Sequence, residues 1–166
     1  MKRLIGLVLI FTSVLSLLNC SKDKITHINC DGLINDPPIP NDYSGVFMPN
    51  AVSSNNDGIN DYCRPIAYKL ASIEFTLYDE KNNIVFATTQ IGQGWKPPTN
   101  SNKPVKYYYK IQAVTLNNRK IGICGETLSI ACLPDGWTLY YFNFEDELDQ
   151  FGGYTNPSGE TLTYCR

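Results

Sequence analysis

Val105-Lys106-Tyr107-Tyr108-Tyr109-Lys110-Ile111-Gln112-Ala113-Val114-Thr115-Leu116 is the longest β-like run in the chain. Its side chains alternate with the two-residue period of a strand. Tyr107, Tyr109, Ile111, Ala113 and Thr115 fall on one face; Tyr108, Lys110, Gln112 and Val114 fall on the other. Asn117-Asn118 follows as a tight turn, since Asn tolerates the left-handed backbone that a reversal needs. Residues 120–131 return as a second strand, with a bulge expected at Gly125. Upstream, Ile73-Glu74-Phe75-Thr76-Leu77-Tyr78-Asp79 alternates in the same way, with Ile73, Phe75 and Leu77 sharing a face. Glu80-Lys81-Asn82-Asn83 turns, and residues 84–89 close a hairpin. Pro97 and Pro98 bar residues 92–98 from a central strand. No amphipathic helix of useful length appears in 44–132. Short strands with a turn signal roughly every ten residues indicate an all-β sandwich.

Composition agrees. A chain of 166 residues with 43% hydrophobic and 18% charged residues has room for one packed domain with appendages. Aromatics reach 12%, which favours strands over helices. The net charge of −2 carries no electrostatic footprint for nucleic acid. The single histidine, His27, excludes multi-His metal sites and any Ser-His-Asp or Cys-His chemistry that does not recruit it. It lies in a linker-like stretch and reads as a solvated side chain.

The N-terminus has its own pattern. Lys2 and Arg3 precede an apolar run from Leu4 to Leu18, which ends in Asn19-Cys20 and turns polar at Ser21-Lys22-Asp23-Lys24. The run has the length of a signal-peptide core and is short for a membrane span. It resembles a bacterial lipoprotein signal peptide, in which the cysteine after the cleavage site is acylated. That resemblance implies a signal peptide over 1–19, lipidation at Cys20 and anchoring to the bacterial outer membrane, with the membrane face left open. Residues 20–43, with Pro37, Pro38 and Pro40, then read as a Pro-rich tether that lifts the domain off the membrane.

The segment 44–132 carries Pro49-Asn50-Ala51, Asn56-Asp57-Gly58-Ile59-Asn60-Asp61, Arg64-Pro65, the hairpin at 73–86, Gly94-Trp95 and the tyrosine-rich strand at 107–109. In this order they resemble the C-terminal domain family of gliding-motility-associated and type IX secretion (type B sorting) proteins of Bacteroidetes. The resemblance implies an immunoglobulin-like antiparallel β-sandwich in the envelope or at the cell surface. The chain departs from the family at Cys63, where Phe usually precedes Arg-Pro, and at Lys96-Pro97. It also continues into a C-terminal extension, 133–166, in which residues 137–144 read as a further strand.

The Asn-Asp-Gly loop supplies a candidate metal site. With Gly58 set as the glycine of a calcium loop, Ser53, Asn55, Asp57, the Ile59 carbonyl and Asp61 fall at alternate ligand positions. Two certain carboxylates predict a weak calcium site; the competing reading is a rigid turn capped by its own Asn and Asp side chains. No other cofactor is expected.

Six cysteines suit an oxidising compartment. With Cys20 reserved for lipid, Cys30, Cys63, Cys124, Cys132 and Cys165 remain, and sequence allows many pairings. Cys63–Cys124 across the sandwich and Cys132–Cys165 closing the extension are expected. Trp95, Tyr108 and Trp137 are candidate binding aromatics for a glycan. The acidic run Glu145-Asp146-Glu147-Leu148-Asp149 reads as a solvated turn. Together these features point to a non-enzymatic envelope lipoprotein that presents an Ig-like sandwich to a protein or glycan partner. A glycan-binding accessory lipoprotein and a type IX secretion substrate or component are the alternatives.

Overall fold

The structure is a computed structural model describing residues 24–99, 103–154 and 157–165. The signal-like run and Cys20 lie outside them. The strands in chain order are β1 (Gly45–Phe47), β2 (Ala51–Ser53), β3 (Ile66–Tyr68), β4 (Leu70–Tyr78), β5 (Ile84–Thr88), β6 (Val105–Thr115) and β7 (Lys120–Ile130). Five of them form one sheet in the order β2-β7-β6-β4-β5, and β1 pairs with β3 in a small second sheet. The pairs within the larger sheet are antiparallel except β2 with β7, which is parallel. Among the described residues no helix is long and apolar enough to cross a membrane.

Local chemistry sets the turns. Asn118 takes φ 61° between β6 and β7, and the Thr115 hydroxyl accepts the Arg119 N–H at 3.1 Å. Between β4 and β5, Asp79 Oδ1 accepts the N–H groups of Lys81 and Asn83, both at 2.8 Å, and Asn82 takes φ 61°. The alternation expected for β4 and β6 is the one observed: Ile73, Phe75, Leu77, Ile111 and Ala113 are all buried. They pack with Val46, Val52, Cys63, Leu70 and Ile121 in the main core. Burying the four large apolar side chains among them, Ile73, Phe75, Leu77 and Ile111, at about 1.5–3 kcal/mol each is the dominant favourable contribution of this layer.

Gly125 is not a bulge. Its register with Tyr109 runs on without a shift. The glycine instead makes room for the Tyr109 ring, since an added Cβ would stand 2.8 Å from the tyrosine oxygen. The ring fills the gap left by the missing side chain.

The stretch 24–43 is not a free tether. It runs as a strap over the outer face of the large sheet. Ile25 N–H donates to Glu80 O at 2.8 Å, and Tyr108 Oη donates to Ile25 O at 2.8 Å. Gln112 holds Ile34 at both ends: its Oε1 accepts the Ile34 N–H at 2.7 Å and its Nε2 donates to Ile34 O at 2.9 Å. Gly122 lies beneath, and a Cβ there would stand 2.8 Å from the Leu33 Cβ. The prolines keep the strap extended, but the polar groups of β6 and a disulfide dock it.

The extension differs as well. Residues 137–144 form no strand. A 3₁₀ turn, Leu139–Tyr141, satisfies the backbone locally, with Tyr141 N–H donating to Thr138 O and Phe142 N–H to Leu139 O. A second such turn spans Glu145–Glu147. The extension meets itself through isolated bridges, Leu133 with Tyr164 and Leu148 with Tyr154. Its apolar side chains Phe142, Phe144 and Leu133 join Ala51 and Ile130 in a second cluster at the β2–β7 edge.

Candidate functional site

The cysteines decide which segments are stapled. Cys30 bonds to Cys124, with Cα atoms 5.9 Å apart, and Cys132 bonds to Cys165 at 5.0 Å. The expected Cys63–Cys124 bridge is therefore replaced by one that ties the strap to β7. Cys63 faces inward and Cys124 lies on the opposite face of the sheet, where the strap runs. Cys63 is a free, buried thiol. Burial pushes its pKa well up, against a lowering contribution from the Thr127 hydroxyl. A thiol held neutral in apolar surroundings is inert. Native protein should leave Cys63 unlabelled by a maleimide reagent, and denaturant should expose it. Fast labelling of Cys63 in the native state, located by peptide mass mapping, would refute this.

The Asn-Asp-Gly loop is built from its own polar side chains. Asn56 takes φ 64° and Gly58 φ 96°, the left-handed conformations that suit Asn and Gly. Asp61 is buried, and its carboxylate accepts the N–H groups of Asn56 and Gly58, both at 3.1 Å. Lys96 Nζ completes it with an ion pair at 3.1 Å. Asp61 thus closes the turn and already has a cation. The Ile59 N–H donates to Asp57 Oδ1 at 2.9 Å. Ser53 is fully buried on β2, and its hydroxyl lies 3.5 Å from the Asn55 N–H.

A residue from the extension enters this loop. Glu160 is 2% exposed, and its Oε1 accepts the Asn55 Nδ2 at 2.9 Å. The same amide nitrogen donates to Asp57 Oδ2 at 2.8 Å. Glu160 Oε2 is buried with no hydrogen-bond partner. Burial, and then the Asp57 charge, push Glu160 up to about 7. Among the described residues no three His, Cys, Asp or Glu side chains form a ready metal cluster. The donor set here is mixed: two carboxylates, a side-chain amide and a hydroxyl. Sequence reasoning missed Glu160 because Ser158-Gly159-Glu160-Thr161 carries no motif and lies far from the loop along the chain.

The acidic residues Glu145, Asp146, Glu147 and Asp149 of the extension are committed to structure. Glu145 takes Arg64 Nε at 2.7 Å and 2.8 Å through its two oxygens. Asp146 accepts Asn60 Nδ2 at 3.0 Å and the Gly159 N–H at 2.7 Å. Glu147 accepts the Phe144 N–H at 2.9 Å, and Asp149 accepts the N–H groups of Phe151 and Gly153 at 2.8 Å. The run expected as a solvated turn instead clasps the extension to the loop at 55–64.

The three candidate aromatics separate. Tyr108 is 2% exposed under the strap, so it offers no binding face. Trp95 packs edge-on against Tyr107 at 4.9 Å and joins the main core. Trp137 is half-buried and lines a groove of about 410 Å³ with Leu128, Gly136, Tyr141 and Phe142. Tyr141 meets Trp137 edge-on at 6.4 Å and is itself exposed. No family model, no curated protein and no solved structure matches this chain.

Proposed function

We propose that the chain is a non-enzymatic lipoprotein of the bacterial outer membrane, held by acylated Cys20, whose domain presents a surface for protein or glycan partners. The observation that carries this reading is the pair of disulfides behind a signal-like run that stops at Cys20. Bridges such as Cys30–Cys124 and Cys132–Cys165 persist in an oxidising compartment outside the cytoplasm. The order β7-β6-β4-β5 supports an immunoglobulin-like sandwich, since it follows the G-F-C-C′ order of a variable-type sheet. The small β1–β3 sheet then stands as the remnant of the second layer.

The docked strap refines the anchoring. Five residues from Cys20 to Ile25 reach at most about 17 Å. Ile25 is fixed to Glu80, so on this reading the β4–β5 turn lies close to the membrane and no long spacer intervenes.

The test is palmitate labelling of full-length protein in a Bacteroidetes host, followed by protease shaving of intact cells. Labelled protein that disappears on shaving supports a surface-presented module. Labelled protein that survives supports the periplasmic face. Equal absence of label in wild type and Cys20→Ala would sink the lipoprotein reading and favour a type IX secretion substrate. The Trp137 groove specifically favours the glycan reading, because an aromatic face in an apolar cleft suits a sugar ring. Quenching of Trp137 fluorescence by soluble polysaccharides, retained in Trp95→Phe and lost in Trp137→Phe, would support it.

A further inference from the structure

We propose that Asp57 and Glu160, with Asn55 and Ser53, form a calcium site that locks the C-terminal extension onto the Asn-Asp-Gly loop. Two carboxylates from distant parts of the chain converge on one point. The Asn55 amide nitrogen stands there, 2.8 Å from Asp57 Oδ2 and 2.9 Å from Glu160 Oε1. A neutral amide shared between two anionic groups offsets little of their repulsion, whereas a divalent cation would neutralise both. The second oxygen of Glu160 points the same way. It is buried on a residue only 2% exposed, and it has no partner. Buried charges in proteins are paired or coordinate metals, and the partners of Glu160 here, the Asn55 amide at 2.9 Å and the Thr161 N–H at 3.2 Å, are neutral.

The choice of ion follows from the donors. The carboxylates and the hydroxyl are hard oxygens, and the Asn55 carbonyl, which accepts the Asp57 N–H at 3.1 Å, adds a further one once the amide turns to face the ion. Calcium accepts six to eight of these in irregular geometry and takes water for the rest, whereas magnesium demands a regular octahedron. The Asp57 side of the site is exposed, which admits ion and water. Asp61, the ligand that loop spacing suggests, is occupied by two N–H groups and Lys96; Glu160 takes its place from the extension. Asp146 and Glu147 are the further acidic groups beside Ser158 and Gly159, and both are engaged with Asn60, Phe144 and Ser158. A net of two carboxylate ligands puts affinity in the class of extracellular modules, roughly 10⁻⁴–10⁻³ M.

Purified full-length protein, stripped with EDTA at pH 7.5, should be titrated with calcium chloride to 10 mM while its Tm is followed. The expected result is a rise of about 3–5 °C at saturation. Glu160→Gln should abolish the rise, keeping the shape of the side chain while removing its charge. Asp57→Asn, at an exposed position, should do the same without threatening the core. Glu126→Gln, at a remote surface pair, should leave the rise intact. A flat titration would overturn the site, as would a rise that persists in both Glu160→Gln and Asp57→Asn.

Discussion

Replacing both Cys30 and Cys124 by Ser should lower the unfolding free energy by about 4–5 kcal/mol, the larger effect of the two bridges. The bridge closes a loop of 94 residues and the Cys132–Cys165 bridge one of 33. In the chain-entropy description the loss scales with the logarithm of loop length, giving about 4.7 kcal/mol for the first and about 3.7 kcal/mol for the second. The longer loop spans almost the whole sheet, from the strap to the last strand. Without the bridge the unfolded chain regains that freedom. The folded chain then keeps the strap through hydrogen bonds and ion pairs to Gln112, Tyr108, Glu80, Lys120 and Arg119. Urea denaturation followed by tryptophan fluorescence measures the loss, and amide exchange over 24–43 measures detachment. A loss below about 1 kcal/mol with unchanged protection would mean that those hydrogen bonds and ion pairs alone dock the strap.

The contrast between strap and strands explains what could be read in advance. β4 and β6 were legible because each face is set by a two-residue period inside one short window. The turns at Asn82 and Asn118 were legible because a single residue type tolerates the backbone they need. Nothing local encodes the rest. Cys124 sits on the strap face by the parity of β7, but which cysteine comes to meet it depends on where Pro37–Pro40 lead the chain. The β2–β7 pairing involves three residues per strand, too few for any period. Phe142 and Phe144 do alternate as a strand would, yet no unpaired edge long enough remains for them beside three-residue β2. Thr138 and Leu139 close a turn instead. The loop at 53–61 was legible as a polar turn, while Glu160, the group that changes its chemistry, enters from the far end of the chain.

Phe144→Ala should cost about 3–5 kcal/mol, the range for deleting a fully buried phenyl ring. Phe144 has no exposed surface and contacts Phe142 at 5.9 Å between ring centroids. It packs with Ala51, Ile130 and Leu133. Tyr140→Ala is the matched control: that ring is 97% exposed, so its loss should stay within about 0.5 kcal/mol. The mutation also asks whether the extension is a separate folding unit. β2 gives Ala51 to the cluster with Phe144 and Val52 to the main core; β7 gives Ile130 to the first and Ile121 to the second. Two strands therefore bridge both clusters, and Arg64–Glu145 and Cys132–Cys165 add ties between the extension and the sheet side. Shared strands make local release of the extension expensive, because exposing Ile130 disturbs the strand that carries Ile121. The chain should then unfold in one step. Trp95 reports the main core and Trp137 the second cluster, so single-tryptophan variants should give one common midpoint, shifted together by Phe144→Ala. An earlier midpoint at Trp137 alone would show instead that the extension opens on its own, leaving the five-stranded sheet folded beneath it.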